Sequence, residues 1–322
     1  MKPGRFSYLC MAIVASLVFL NGCVVPVAPP PTFPSATSLP ATITPTPGPV
    51  SSTRTLMPAP TPKPPTPTVP PSPTLVPTLT ADQEQALVLD LLQNNAGCRL
   101  PCWWGFTPGK TTWQTASTFF TSLGKNIINM GRSYTSYGVE FTIMKYDIRL
   151  SQEYVVINGN IAMIWVGIGM VRNEKAVFGD PLFAKALQYY MLPHLLTAYG
   201  LPDEVLIRTF SSAPGGGWVP FHLLLFYPMQ GILVDYQGPN EKKGNNLQWC
   251  PQNTNITMWL WMPERRLTLK DISRIGPNLP LEEVLSYHPI EEATGMSLRE
   301  FYETFKEPGN SLCLETPVDM WP

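Results

Sequence analysis

Histidine is scarce in this chain of 322 residues: only His194, His222 and His288 occur. No two lie at i, i+4 and there is no His-Glu-x-x-His, so the sequence presents no ready zinc site. Charge is scarce too. Charged residues make up 14% of the chain and the formal net charge is −1, which removes the electrostatic case for nucleic acid. Gly-x-Ser-x-Gly, the nucleophile elbow of many serine hydrolases, is absent. Beyond Leu20 no long apolar run exists, so there is no second candidate membrane span. Gly105-Phe106-Thr107-Pro108-Gly109-Lys110-Thr111 has one residue too few between its glycines to wrap phosphates with successive N–H groups, and Pro108 lacks the donor altogether. It reads as a Pro108-Gly109 turn followed by a helix cap at Thr111. No cofactor, metal or nucleotide is expected.

Proline is abundant and unevenly placed. Pro26 to Thr80 hold 19 of the 37 prolines and 13 threonines, with Arg54 and Lys63 as the sole charges. Such a segment cannot bury a core. It is expected to run extended with polyproline II character, reaching at most roughly 170 Å at ~3.1 Å per residue. It separates two very different regions. Before it, Lys2 and Arg5 precede an apolar run from Phe6 to Leu20, the layout of a secretory signal. After it, about 240 residues carry most of the 9 Trp, 12 Tyr and 14 Phe, enough for a substantial core.

The signal ends in Leu20-Asn21-Gly22-Cys23, which resembles the lipobox of bacterial lipoproteins, although Asn21 is an unusual occupant of its position. The resemblance implies that residues 1–22 are removed and that Cys23 carries a diacylglyceryl group. Residues 23–80 would then be a tether. Residues 81–322 would form an extracytoplasmic head, with possible subunits 81–175 and 176–322. Of six cysteines, Cys10 lies in the signal and Cys23 would be lipidated. Cys98, Cys102, Cys250 and Cys313 remain, an even number expected to form two disulfides in an oxidising compartment. Of the three possible connectivities, Cys98–Cys102 and Cys250–Cys313 is favoured, because the first pair can close across one turn.

Within the head, Thr80 to Gln83 form a capping box before a helix at Ala86 to Leu92. A second helix is expected from Thr111 to Leu123-Gly124. Val139 to Leu150 reads as one strand, and Asn158-Gly159 as a hairpin turn between Tyr154–Ile157 and Ile161–Val171. A helix from Asp180-Pro181 to Met191, broken at Pro193, continues to Tyr199-Gly200. Strands follow at Glu204–Phe210, Phe221–Tyr227, Ile232–Tyr236 and Ile256–Met262, then short helices to Phe305. Helix, glycine and a run of antiparallel strands therefore occur twice. The predicted class is α+β, with tandem helix-on-antiparallel-sheet units stabilised by disulfides. This order, with the matching helix ends Leu123-Gly124 and Tyr199-Gly200, faintly resembles the BamE and beta-lactamase-inhibitor type of module. The resemblance implies a binding module rather than an enzyme.

Aromatic residues in loops are the leading functional candidates. Trp103, Trp104 and Trp218, the last after Gly215-Gly216-Gly217, could form a platform for a sugar or a protein. The competing reading places Trp103 or Trp104 against the disulfide in the core. Trp259 and Trp261 share one side of an apolar strand and read as core. Asp203-Glu204 reads as a turn; Glu282-Glu283 and Glu291-Glu292 read as solvated helix faces. The sequence thus points to a membrane-anchored, cell-surface binding or scaffolding module for an envelope protein or a polysaccharide. The alternative is an envelope hydrolase whose carboxylates converge only in the fold.

Overall fold

The computed structural model describes residues 79–212, 218–309 and 312–322. The signal segment, Cys23, the stalk up to residue 78 and Gly215 to Gly217 lie outside the described residues.

Helix α1 (Ala81–Asn94) begins at the expected capping box, in which Thr80 Oγ1 accepts from the Gln83 N–H and the Gln83 side chain accepts from the Thr80 N–H. Helix α2 (Trp113–Ser122) is capped by Thr112 rather than Thr111. The Thr111 hydroxyl instead accepts from the Thr107 N–H and closes the preceding turn. Then come β1 (Ile128–Asn129), β2 (Ser136–Ile143), β3 (Ile148–Ile157), β4 (Asn160–Arg172) and β5 (Lys175–Val177). The single strand expected at 139–150 is two strands. Met144–Tyr146 form one tight turn and Asp147 reverses the chain with φ 53°. Phe141 pairs with Leu150 across this reversal, so apolar alternation stays in phase on both arms and hides the turn. Asn158 and Gly159, at φ 52° and 78°, join β3 to β4 through the mirror-image turn that the dipeptide predicts.

The second copy comprises α3 (Pro181–Ala186), α4 (Leu192–Tyr199), β6 (Glu204–Arg208), β7 (Pro220–Tyr227) and β8 (Ile232–Pro239). The helix expected to run to Met191 stops at Leu187, and Pro193 sits in the first turn of α4, where a missing N–H costs nothing. The chain continues with β9 (Glu241–Lys243), β10 (Asn246–Trp249) and β11 (Asn255–Trp261). Strand β11 pairs with β4 on one side and β8 on the other, and so joins the two copies into one antiparallel sheet. Its order is β1-β2-β3-β4-β11-β8-β7-β6-β12, with β5 on β4 and β12 (His288–Pro289) at the far edge. The short helices α5 (Leu269–Ile275) and α6 (Leu281–Val284) precede β12; α7 (Ile290–Thr294), α8 (Leu298–Phe305) and β13 (Leu314–Pro317) follow it. β13, β10 and β9 form a small second sheet. The fold is α+β, with the tandem helix-and-sheet units the sequence predicts.

One face of the large sheet is apolar apart from the buried Gln152, which accepts from the Tyr154 hydroxyl. Phe141, Tyr154, Val166, Leu225 and Met258 pack there with Leu92 of α1, Phe120 of α2 and Leu196 of α4 in one continuous core. The other face is apolar only in part. Met163, Leu224, Phe226, Leu233, Trp259 and Trp261 lie under Ile272 of α5 and under Leu279 and Tyr287. Among the described residues no helix is long and apolar enough to cross a membrane. The cysteines pair as Cys98–Cys102 and Cys250–Cys313.

Candidate functional site

Trp103 and Trp104 do not form a surface. Trp103 is fully buried and Trp104 is 4% exposed. Their rings stack at 5.3 Å, Trp103 packs on Tyr190 and Trp104 meets Phe141 edge-on. The loop that turns them inward is built on Asn95, a buried residue that caps the C-terminal end of α1. Its amide nitrogen donates to the Cys98 and Cys102 carbonyls at 2.8 Å, and its carbonyl oxygen accepts from the Trp104 N–H at 2.9 Å. Trp218 is 42% exposed and packs edge-on against Phe178, so of the three expected aromatics it alone stands at the surface. The loop at Gly105–Thr111 is a packed turn, with the Gly109 N–H donating to the Ile161 carbonyl.

The half of the second face left uncovered by α5 and α6 is polar. Strand pairing aligns Glu140, Ser151, Gly167, Thr257 and Asp235 in one row across β2, β3, β4, β11 and β8. The row is about 19 Å long, four strand spacings of ~4.8 Å. The adjacent row carries Thr142, Arg149, Gly169, Asn255, Gln237 and His222. Into this polar floor leans one aromatic, the half-buried Trp165. A Cβ on Gly167 would lie 2.9 Å from its six-membered ring, so the indole lies over a strand position that only glycine leaves free. The sequence signal is present: in Trp165-Val166-Gly167-Ile168-Gly169 the side that carries Trp165 is otherwise glycine.

Beside Trp165 the chain from Met130 to Tyr134 folds back over the sheet. Arg132 clamps Glu153 with two bonds, Nε to Oε1 at 2.6 Å and Nη2 to Oε2 at 2.9 Å, and reaches Asn278 at 3.3 Å. Glu153 is 2% exposed, and its hydrogen bond is the main reason the Arg132 pKa is raised, ahead of a smaller opposing effect of burial. Arm and sheet enclose a groove of 290 Å³ lined by Met130, Arg132, Glu140, Ser151, Glu153 and Trp165. A second groove of 400 Å³ on the helical side is lined by Gln93, Gln188, Tyr189, His194 and Thr197 beside Met191 and Pro193, and among the described residues its lining includes no carboxylate and no Lys or Arg.

At the β8 end of the polar rows, His222 Nδ1 meets Asp235 Oδ2 at 2.9 Å. Burial alone would lower the His222 pKa. The Asp235 carboxylate, assisted by Glu283 and against Arg208, outweighs it and holds the pKa above the ordinary histidine value. Arg208 pairs with Glu283 at 2.7 Å, so Glu283 is not the solvated acid the sequence suggests. His288 pairs with Glu292 at 3.0 Å. Among the described residues no three His, Cys, Asp or Glu side chains gather as metal ligands. Ser122-Leu123-Gly124-Lys125 has the Ser-x-x-Lys spacing of some acyl-enzymes, but Ser122 Oγ donates to the Phe119 carbonyl and Lys125 pairs with Glu84. Asp203 and Glu204 are exposed at the start of β6; burial first, then Asp203, raises the Glu204 carboxyl. The chain matches no protein-family model, no curated protein and no solved structure.

Proposed function

We propose that this chain is a lipid-anchored lipoprotein of a bacterial cell surface whose head binds a neutral polysaccharide on the open polar half of its sheet. The observation that carries the reading is Trp165 lying over Gly167 between Ser151 and Thr257. A flat indole offers stacking area to the C–H face of a sugar ring, while hydroxyl, amide and carboxylate groups around it exchange hydrogen bonds with sugar hydroxyls. Charge supports a neutral ligand. Glu140 and Arg149 are the two exposed charges in these rows, one of each sign, and Arg132 and Glu153 neutralise each other. A protein partner would call for a larger apolar centre than one indole. The hydrolase alternative would rest on Glu140 and Glu153, which line one groove, but Glu153 is engaged by Arg132 through both oxygens, and Asp203 and Glu204 are exposed sequence neighbours.

Binding of the full-length protein to insoluble neutral envelope polysaccharide is the test. Trp165→Ala is expected to weaken it about 30-fold, the ~2 kcal/mol of a hot-spot aromatic, with an unchanged circular dichroism spectrum. Moderate salt should leave the affinity in place, because little net charge is involved. Binding that ignores Trp165, or that collapses in salt, would remove the reading.

The anchor rests on the lipobox-like Leu20-Asn21-Gly22-Cys23 and on the proline-rich tether after it. Metabolic labelling with an alkyne fatty acid should mark the wild-type chain and leave Cys23→Ala unmarked. Equal labelling of both would exclude acylation at Cys23.

A further inference from the structure

We infer that the polar face recognises the end of a glycan chain and not its interior, an inference that rests on the polysaccharide reading above. The row from Glu140 to Asp235 has two unlike ends. At β2 it runs out to the sheet edge: β1 pairs only with Tyr137 and Gly138, so no strand lies beyond Glu140 and Thr142, and both are exposed. Exposure then falls along the row. Ser151, Gly167 and Thr257 are half-buried, and Asp235 is 6% exposed. The closing elements are visible. The Tyr287 ring stands edge-on to His222 at 6.1 Å, and Arg208–Glu283 ties β6 to α6. A chain entering over β2, across the groove and the Trp165 ring, meets a wall just past β11.

The chemistry of that wall suits a terminus. Asp235 Oδ1 is buried and meets no donor among the described residues, a state that costs about 1–3 kcal/mol unless a donor arrives. Half-buried Thr257 pairs with Asp235 across β11 and β8, and half-buried Asn255 pairs with Gln237 in the adjacent row. A terminal sugar unit differs from an internal one by a free hydroxyl where the next linkage would be. The half-buried Thr257, Asn255 and Gln237 offer that hydroxyl partners, whereas an interior unit would carry its next sugar toward the closed end, where Asp235 and Tyr287 are buried.

Stoichiometry separates the two modes. Full-length protein in detergent is titrated with linear α-glucan, β-glucan and mannan, each at graded chain lengths. The expected result is saturation at one protein per chain for the bound polymer, whatever its length, with affinity dependent on Trp165. Stoichiometry that rises with length would overturn end recognition and leave the polysaccharide reading standing. No Trp165-dependent binding to any of the three would overturn both. Thr257→Leu, which crowds the seat before the wall, should weaken binding about tenfold while Thr118→Leu on α2 leaves it unchanged. Equal affinities for the two variants would also overturn the inference.

Discussion

Trp103→Ala is expected to destabilise the head by about 4 kcal/mol, the range seen when a fully buried large aromatic is removed and the site cannot collapse. The site has little room to do so. Trp103 has no exposed surface, and its ring is held between Trp104 and Tyr190, each 5.3 Å away. Trp104 in turn leans on Phe141 of β2, so the cavity would open between the Cys98–Cys102 loop and the sheet. Domains of this size hold about 5–15 kcal/mol, so a large share of the total is at stake. Urea unfolding followed by circular dichroism should show a lower midpoint with an unchanged slope. Trp218→Ala, by contrast, should change the stability by less than about 0.5 kcal/mol, because its ring is 42% exposed. If the two variants unfolded together, Trp103 would not be in the core. The pair of measurements distinguishes an aromatic that builds the fold from one that merely edges it, which composition cannot do.

That distinction marks the limit of what the sequence discloses. Elements with a strong local cause are legible: the capping boxes at Thr80 and Ser297, the Asn158-Gly159 hairpin, and the apolar strand of Trp259 and Trp261. The doubled helix-and-sheet order is legible for the same reason. What joins the copies is not. Strand β11 follows β8 in sequence yet also pairs with β4, and nothing local announces that second partner. The small sheet was hidden because Glu241-Lys242-Lys243 and Leu314-Glu315-Thr316-Pro317 carry charge and proline rather than alternating apolar residues. The candidate site was hidden differently. A loop tryptophan looks exposed and a strand tryptophan looks buried; Trp218, Trp259 and Trp261 follow that rule, whereas Trp103, Trp104 and Trp165 do not. Asn95 pulls Trp103 and Trp104 inward, while glycine at 167 and 169 leaves Trp165 to lie over a bare strand. Register is needed to see that Ser151 and Thr257 flank Gly167, and register is set by pairing across the sheet.

The two disulfides should differ sharply in what they contribute. Cys98 and Cys102 are 4 apart in sequence, whereas Cys250 and Cys313 are 63 apart. In the loop-entropy account a cross-link restrains the unfolded chain more as the loop it closes lengthens, giving about 2 kcal/mol for the first and about 4 kcal/mol for the second. Native contacts do not separate the two bridges, so loop length decides. The first loop has other ties: Asn95 bonds both cysteine carbonyls, Tyr199 accepts from the Leu100 N–H, and the Tyr189 hydroxyl donates to the Cys98 carbonyl. The segment after Cys313 is tied as well, by the four-residue pairing of β13 with β10, the Glu315 bonds to Asn246 and Gln248, the Trp321 indole bond to Thr316, and the Ser211 bonds to the Pro322 carbonyl. Replacing Cys250 and Cys313 together by serine should therefore lower the urea midpoint about twice as far as replacing Cys98 and Cys102 together. It should also open the chain after β13 to protease while β2 to β4 stay protected, because β13 lies outside the large sheet. Equal losses for the two double variants would mean that the 63-residue span is already restrained in the unfolded state. Protection of the C-terminal segment without the bridge would mean that the β13–β10 pairing and the buried Trp321 hold it without the cross-link.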